Sequence, residues 1–553
     1  MLDLIKAARN IHVVGVSGTE GAAIALFLQK LGVNFTAHDF SSENKFKQNF
    51  KASHFAYPAD KREEILEKLF EINKLNFQKN YLENIEAADL IFVSQNWEAY
   101  SPNQNLQEVF SKDSTKFVTI TQLYFQLFPG KILAATGTNG KSTTTKLIAE
   151  IMLSSRQVID TSRQRVDNQN CPVDTSRQTA DSSNCPVDNP ICPVDTSRQP
   201  VDKLSRQVWF TGNDRRNIQI LNEHKKWKRD DWLVIEVSNR QLKFPLGRAP
   251  NIGLITNVSP NHLSEYNGSF SAYKSGKFSL IAKQSPNNFA VLNADDDSTP
   301  QFVKQLKSQI IPFSTKEELA TGICVVDGWI VERSELSSRQ ASLPAGRQID
   351  NSTCPVDTSR QRVDTKICPV DRIKMIGEHN LSNILAAVAA TRIAGIEVAT
   401  IRKVIENFRG IPQRLEVVLT KNDVQFVNDS ASTTPESTIA ALKSFPESSV
   451  YLIAGGESKG MNYSRLAEEI RRKKTRVILV ESPLAELLGG ELKKEKIVFE
   501  LVKNLRDAVE LSARNAGKGE SILLSPAGAW FCYFAGKIPL GGRGFEQFAR
   551  TFA

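Results

Sequence analysis

The chain has 553 residues, 41% hydrophobic and 24% charged, with a formal net charge of +9 at pH 7. That length exceeds what one core organises and predicts about three domains, and no apolar run reaches the roughly 18–20 residues that cross a bilayer. The basic excess forms no Lys/Arg block or aromatic-interleaved patch, so it implies a general bias toward anionic ligands, or plain solubility, and not nucleic-acid binding.

The N-terminus, MLDLIKAARNIHVVGV, runs straight into a glycine turn and lacks a signal-peptide layout, which predicts a cytoplasmic protein. Of seven cysteines, Cys171, Cys185, Cys192, Cys354 and Cys368 share one phrase, Cys-Pro-Val-Asp. None belongs to a CxxC pair, so metal spacing fails and free thiols in a reducing compartment are expected.

In chain order, residues 10–40 read as strand, glycine turn, helix and strand. Gly15, Gly18 and Gly21 bracket the turn, Ile24, Leu26, Phe27 and Leu28 form the helix's apolar side, and Asp39 closes the second strand. An acidic residue about 20 positions after such a turn suits a Rossmann-like opening, although the spacing is GxxGxxG. Strands over Asp89–Ser94 and Lys116–Ile120 extend an open α/β sheet that ends near Phe128-Pro129-Gly130.

Lys131–Leu153 carries the sharpest signal. An apolar strand (Ile132–Ala135) leads into Gly137-Thr138-Asn139-Gly140, then Lys141-Ser142-Thr143 and a helix with Leu147, Ile148, Ile151 and Met152 on one side. Backbone N–H groups in such a turn, at a helix N-terminus, cradle phosphates. Lys141 is placed to reach β/γ-phosphates, and the Ser142 or Thr143 hydroxyl to ligate Mg2+. Ala135 stands where the general Walker pattern has its first glycine.

From about Ser154 to Gln207, and again from about Ser337 to Asp371, the chain cycles through variants of CPVDTSRQ. These tracts lack aromatic residues and apolar periodicity, which predicts disordered insertions in surface loops and not a solenoid. Long surface insertions add little closure entropy.

Beyond the first tract, Trp232–Val237 reads as a strand carrying Glu236 near its end, and Asn251–Val258 as a strand leading to Ser259-Pro260-Asn261-His262. A helix over Phe270–Ala282 carries Lys274 and Lys277, Phe289–Asn293 is a strand before Ala294-Asp295-Asp296-Asp297, and Gly322–Glu332 is a hairpin. Glu378–Asn383 opens an Ala-rich helix over Ile384–Ala394. After Gly410-Ile411-Pro412-Gln413-Arg414 come strands over Val424–Asp429, Ser449–Ala454, Arg476–Glu481 and Ser521–Ser525, with a helix over Pro435–Ser444. The alternation predicts a third α/β domain. A strand-end carboxylate such as Glu236 sits where open α/β sheets bind ligands and suits Mg2+.

The segments GTNGKSTTT (137–145), EVSNRQL (236–242), TNVSPNHLSEY (256–266), YKSGKF (273–278), NADDD (293–297), GEHNLSNILAA (377–387), PQRLE (412–416), NDSASTTPEST (428–438), AGGESKG (454–460) and LLSPAGA (523–529) together resemble the Mur ligases, over essentially everything outside the repeat tracts. The resemblance implies an N-terminal Rossmann-like UDP-binding domain (1–128), a central P-loop ATPase domain with a mainly parallel sheet (129–411, holding both tracts) and a C-terminal Rossmann-like amino-acid domain (412–553). It implies a cytoplasmic, monomeric enzyme of peptidoglycan precursor synthesis using ATP and two Mg2+. Its partners would be UDP-N-acetylmuramoyl-L-alanine and D-glutamate, joined through an acyl phosphate.

Residue by residue, the resemblance implies that Gly137, Thr138, Asn139, Gly140, Lys141, Ser142 and Thr143 hold ATP phosphates, and that Asn380, Asn383, Arg414 and Asp429 hold the rest of the nucleotide. Ser142, Glu236, His262 and Lys277 would serve the metals, Lys277 as a carbamylated lysine, with Lys141, His262 and Lys277 catalytic. Ser17, Gly18, Thr19 and Asp39 would hold the UDP moiety, and Thr433, Lys459 and Ser525 the amino acid. Two positions depart from the pattern: Ala431 follows NDS where the family has Lys, and Trp530 stands near the place of a Ser. They keep open two alternatives, a ligase adding another amino acid and a non-catalytic nucleotide-binding scaffold.

Overall fold

The computed structural model describes all residues except 168–205, 214–216, 261–262, 336–361, 459, 529–541 and 553. Its strands form three sheets flanked by helices, an α/β architecture throughout. In the first, β1 (Ile11–Val14), β2 (Thr36–Asp39), β3 (Leu75–Phe77), β4 (Leu90–Val93) and β5 (Phe117–Thr119) lie in the order β3-β2-β1-β4-β5, every pairing parallel. The order reverses between β1 and β4, which opens a crevice at the carboxyl ends of the strands. The expected strand over Lys116–Ile120 stops at Thr119, because Thr119 caps a helix that begins at Ile120. The Gln122 side chain accepts the Thr119 N–H at 2.8 Å, completing a capping box.

The second sheet contains β6 (Lys131–Thr136), β7 (Val208–Gly212), β8 (Trp232–Glu236), β9 (Ile252–Ile255), β10 (Phe289–Asn293), β11 (Gln309–Phe313), β12 (Gly322–Val326), β13 (Trp329–Glu335) and β14 (Arg362–Pro369), ordered β14-β13-β12-β11-β10-β9-β6-β8-β7. From β6 through β12 the run is parallel, and β12, β13 and β14 form an antiparallel meander. In the third, β15 (Glu416–Lys421), β16 (Val424–Asn428), β17 (Val450–Ala454), β18 (Arg476–Val480), β19 (Phe499–Val502) and β20 (Ser521–Leu524) are ordered β15-β16-β20-β17-β18-β19, with β15 alone antiparallel.

Two ends of the repeat tracts prove to be ordered. The helix after the phosphate loop runs from Lys141 to Asp167, past the expected start of the first tract. In the second tract, residues 362–369 form β14, with Ile367 and Cys368 buried. The β-branched Val363, Thr365 and Ile367 favour a strand, and Arg333 on β13 grips Asp364 through two contacts of 2.8 Å. The remaining tract residues, 168–205 and 336–361, lie outside the described residues. Among the described residues no helix is long and apolar enough to cross a membrane, and Cys324 and Cys368 are free thiols.

Residues 1–132, 149–211 and 218–234 group into one compact unit, and 133–148, 212–217 and 235–553 into another. Within the first, a short segment folds back onto the first sheet's helices. The Tyr124 hydroxyl donates to Gln219 at 2.8 Å, Tyr57 accepts the Gln219 N–H at 2.9 Å, and the Asn222 amide reaches the Ala23 carbonyl at 3.2 Å. The same unit contains a buried histidine pair. Leu82 N–H donates to His38 Nδ1 (3.1 Å), so the His38 proton sits on Nε2 and points to His12 Nδ1 (2.7 Å). His12 Nε2 in turn donates to Asn10 Oδ1 (2.9 Å). The chain uses both rings as neutral donor–acceptors, and a proton on either would set two N–H groups against each other.

Burial holds His12 down at about 4 and His38 at about 3, against about 6.5 in an unfolded chain. The unfolded state therefore takes up protons first as pH falls. The stabilisation is complete above about pH 6.5 and is lost progressively toward pH 4, on the order of 2 kcal/mol per ring by pH 5. Urea unfolding monitored at pH 7 and pH 5 should show this loss, and His12→Gln combined with His38→Gln should flatten the pH dependence. An unchanged slope in the double variant would refute the relay.

Candidate functional site

The phosphate-type loop is built by close approach. Strand β6 is buried from Ile132 to Thr136, and Gly137 and Gly140 follow with φ of +152° and +81°. A Cβ on Gly137 would lie 1.9 Å from Thr256 Oγ1, and one on Gly140 would lie 2.0 Å from Asn383 Oδ1. Both positions therefore need glycine for space as well as for backbone conformation. The loop is tied to residues 256–259. Thr138 and Asn139 donate their N–H groups to Asn257 (2.8 and 3.0 Å), Thr256 Oγ1 donates to the Asn139 carbonyl (2.6 Å), and Ser259 N–H donates to Thr138 Oγ1 (3.0 Å).

Two lysines converge on this loop. Lys141 Nζ donates to the carbonyls of Gly137 (3.0 Å) and Thr138 (2.9 Å). Lys277, only 1% exposed on the helix Phe270–Ala282, donates to the same Gly137 carbonyl at 2.7 Å and lies 4.7 Å from the Tyr273 ring centre. Tyr273 hydrogen-bonds Thr138 Oγ1 at 3.1 Å. Burial lowers the Lys141 ammonium, helped by Arg414 and opposed by Glu236. Burial, and then the neighbouring Lys141, push Lys277 down to about 6.

Glu236 ends β8 and is 1% exposed. Its Oε1 accepts from the Asn213 side chain at 3.0 Å, and its Oε2 is buried with no hydrogen-bond partner among the described residues. Asn213 is fixed by its own N–H to the Glu236 carbonyl (3.2 Å), at a point where a Cβ on Gly212 would collide with the Glu236 backbone. His262 lies outside the described residues. Among those described, no group of three or more His, Cys, Asp or Glu residues forms a metal site.

These groups open onto a 690 Å3 cleft lined by Thr138 to Thr143, Asn213, Glu236, Asn293, Asp295, Arg409, Arg414, Asp429 and Ala431, among others. Asn380 and Asn383 also line it, but their amides are engaged. Asn383 Nδ2 donates to Asn380 Oδ1 (3.1 Å), Asn380 Nδ2 to the Ile376 carbonyl (2.7 Å), and Thr144 Oγ1 to Asn383 Oδ1 (3.4 Å). This ladder fastens the start of the helix Glu378–Ile393 to the phosphate loop. Asp429 accepts from Leu415 N–H (3.2 Å) and from Ser525 Oγ (2.8 Å), and burial raises it to about 6.

Sequence-predicted residues thus divide. The cleft unites Thr138, Asn139, Gly140, Lys141, Ser142, Thr143, Glu236, Asn380, Asn383, Arg414 and Asp429. Gly137 and Lys277 sit directly behind it through the shared carbonyl. Ser525 is fully buried and does not line the cleft. It donates to Asp429 and receives the Thr438 hydroxyl at 2.9 Å. Thr433 is exposed and also stands outside the lining, and Lys459 and Trp530 lie outside the described residues. In the other compact unit, the fully buried Asp39 accepts from Ser17 N–H (3.0 Å) and Ser41 N–H (3.1 Å), which shapes the turn that carries Ser17, Gly18 and Thr19. Sequence reading assigned no role to Asn213 and Asn257. Asn213 was obscured by the adjoining repeat tract, and Asn257 acts through a loop-to-loop contact.

Comparison with known proteins adds an independent finding. Residues 135–391 match the Mur ligase middle domain, and residues 413–528 the Mur ligase, glutamate ligase domain. The UDP-N-acetylmuramoylalanine–D-glutamate ligase of Acetivibrio thermocellus is 27% identical over 98% of this chain and 97% of its own. The protein of the same name from Pelotomaculum thermopropionicum is 33% identical over 56% of this chain and 62% of its own. A crystal structure of UDP-N-acetylmuramate-alanine ligase MurC from Thermotoga maritima matches the fold, with a TM-score of 0.52 at 17% identity over 98% of this chain and 99% of that one.

Two variants probe this geometry. Gly140→Ala should lower affinity for ATP by more than about tenfold in equilibrium titration, equivalent to roughly 1.4 kcal/mol, and unaltered affinity would contradict the packing against Asn383. Ser525→Ala leaves a buried carboxylate oxygen short of a donor and should cost about 1–3 kcal/mol in urea unfolding. Wild-type stability would instead return Ser525 to the substrate-binding set.

Proposed function

The chain belongs to the Mur ligases, ATP-dependent ligases of peptidoglycan synthesis, and from that premise we propose that it joins D-glutamate to UDP-N-acetylmuramoyl-L-alanine. The observation that carries the proposal is the convergence of Lys141, Lys277 and the half-satisfied Glu236 carboxylate around one glycine loop. The names of the relatives support D-glutamate as acceptor. The reading includes a cytoplasmic, monomeric enzyme with domains over 1–128, 129–411 and 412–553, and binding of the UDP moiety by Ser17, Gly18, Thr19 and Asp39.

In the proposed reaction the substrate carboxylate takes the γ-phosphoryl group of ATP, giving an acyl phosphate and ADP. The amine of the amino acid then attacks the acyl carbon. The tetrahedral adduct collapses with loss of phosphate, leaving an amide, and the amine's proton passes to solvent or a base. Little of this needs covalent participation by the protein, so its contribution is positioning and charge. Lys141, whose ammonium now holds two loop carbonyls, is close enough to exchange them for phosphate oxygens. Arg414 adds a second cation to the cleft. Asp429 faces the nucleotide from the C-terminal side.

The donor set fits Mg2+: Glu236 Oε2 is a buried oxygen lacking a partner among the described residues, the Ser142 hydroxyl lines the same cleft, and both are hard oxygen ligands. With His262, these residues would hold the metal, which would neutralise phosphate charge when bound. Lys277 suits carbamylation because burial lowers it to about 6, leaving a free amine lone pair near neutral pH for addition to CO2. Forming the N–C bond to CO2 with release of one N–H proton to solvent gives a carbamate anion, while the remaining N–H can keep the Gly137 carbonyl.

Ala431 lines the cleft and brings no charge, which favours a second reading, transfer of a different amino acid by the same chemistry. The deciding experiment is phosphate release from ATP and Mg2+ with UDP-N-acetylmuramoyl-L-alanine against a panel of D- and L-amino acids. Turnover should depend on D-glutamate. Preference for another amino acid would keep the mechanism and replace the acceptor, and absence of turnover with all of them would overturn the proposal. Glu236→Gln should reduce kcat by about 100-fold or more, as loss of a charge-organising group does, while ATP-free thermal stability stays close to wild type.

A further inference from the structure

A side-chain cluster beside the helix Phe270–Ala282 has no part in the chemistry above. Glu265 lies in the 3-10 turn Leu263–Tyr266 and meets Arg240 through a two-pronged ion pair, Nε to Oε2 at 3.0 Å and Nη2 to Oε1 at 2.7 Å. The Asn239 side chain also donates to Glu265 Oε2, at 3.3 Å. Asn239 and Arg240 belong to the turn that follows β8 and its terminal Glu236. That turn closes on itself: Gln241 Oε1 accepts the Ser238 N–H at 2.8 Å, and Ser238 Oγ accepts the Gln241 N–H at 3.3 Å. Glu265 then fastens it to the neighbouring 3-10 turn.

Tyr266 carries the connection onward. Its hydroxyl donates to the Asn239 carbonyl at 3.2 Å, and its ring meets Tyr273 edge-on at 5.4 Å. A Cβ on Gly276 would lie 3.2 Å from that hydroxyl, so Tyr266 packs directly on the residue before Lys277. Tyr273 in turn holds Thr138 Oγ1 and faces Lys277 Nζ. Glu265 and Tyr266 thus join three parts of the site: the end of β8 with Glu236, the helix with Lys277, and the phosphate loop. The Arg240 and Glu265 side chains keep only 31% and 18% exposure. Exposed ion pairs contribute little to stability, but a shielded fork of two charge-assisted bonds fixes geometry. Replacing residues that orient metal ligands changes metal affinity by roughly 10–100-fold.

We propose that Glu265 is a positioning residue for this reaction: by clamping Arg240 and Asn239 it sets where the Glu236 carboxylate stands relative to Lys277 and the phosphate loop. The proposal rests on the reading that Glu236 holds a metal. Mn2+ titrated into the full chain with ADP bound, followed by electron paramagnetic resonance, tests both without turnover. Glu265→Ala and Arg240→Ala should each weaken Mn2+ binding roughly tenfold. The double variant should be no weaker than either single one, because both remove the same clamp. ADP affinity measured in EDTA and the melting profile should stay close to wild type, which separates positioning from general loss of structure. Glu265→Gln, which keeps the side chain's volume and one acceptor for Arg240, should fall between wild type and Glu265→Ala. If Glu236→Gln loses Mn2+ while the Glu265 and Arg240 variants bind it like wild type, the clamp is refuted and the metal reading stands. An equal loss of ADP binding in EDTA would also refute the clamp, assigning the pair to stability alone. If Glu236→Gln binds Mn2+ as tightly as wild type, both fall together.

Discussion

One backbone oxygen organises this molecule. The Gly137 carbonyl accepts hydrogen bonds from Lys141 Nζ at 3.0 Å and from Lys277 Nζ at 2.7 Å, so two amino groups are drawn to one point in a buried setting. Both groups are shifted toward neutrality by burial, and Lys141 further disfavours the charge on Lys277, as Arg414 does that on Lys141. The arrangement persists because Glu236 supplies an opposing charge to Lys141 and because Gly137 can adopt a conformation closed to other residues. It is a site held in readiness for negative charge: phosphates for one lysine, and a change of charge on the other.

Everything near that oxygen serves to keep it in place. The asparagine ladder from Asn380 through Asn383 and the Thr256–Asn257 strap hold the loop from two sides. The C-terminal part reaches the same cleft through residues 410–416, where Gly410, Gln413 and Leu415 have positive φ. Gln413 and Leu415 pay for that conformation with hydrogen bonds: the Gln413 carbonyl accepts Ala431 N–H at 3.0 Å, and Leu415 N–H reaches Asp429 at 3.2 Å. Arg414, between them, is thereby presented to the cleft.

The legible parts of the sequence were those whose cause is local. The strand, glycine turn and helix around Gly137–Lys141 are set by residues within a few positions of one another, as are the openings around Gly15 and the hairpin at β12 and β13. Most of what escaped reading depends on partners far along the chain, the end of β5 being a local exception. Thr119 turns from strand to cap because Gln122 closes a box on it. Residues 362–369 read as more of the repeat, yet they pair with β13 and are clasped by Arg333. Ser525 lies in a motif associated with ligand but faces Asp429, 96 positions away, and Asn213 acquires meaning only from Glu236 across the neighbouring strand.

The pairing of β13 with β14 has a further consequence. Glu335 and Arg362 are register partners on adjacent antiparallel strands, so the two ends of the intervening segment are held about one strand spacing, roughly 5 Å, apart. The fold sees the segment only through that fixed pair of anchor points. Its length is accordingly a nearly free parameter, and this hairpin is a natural splice port. A fluorescent domain or affinity tag whose own termini lie close together could be grafted there, carried on the second sheet's outer edge, with β6 and its phosphate loop six strands in from that edge.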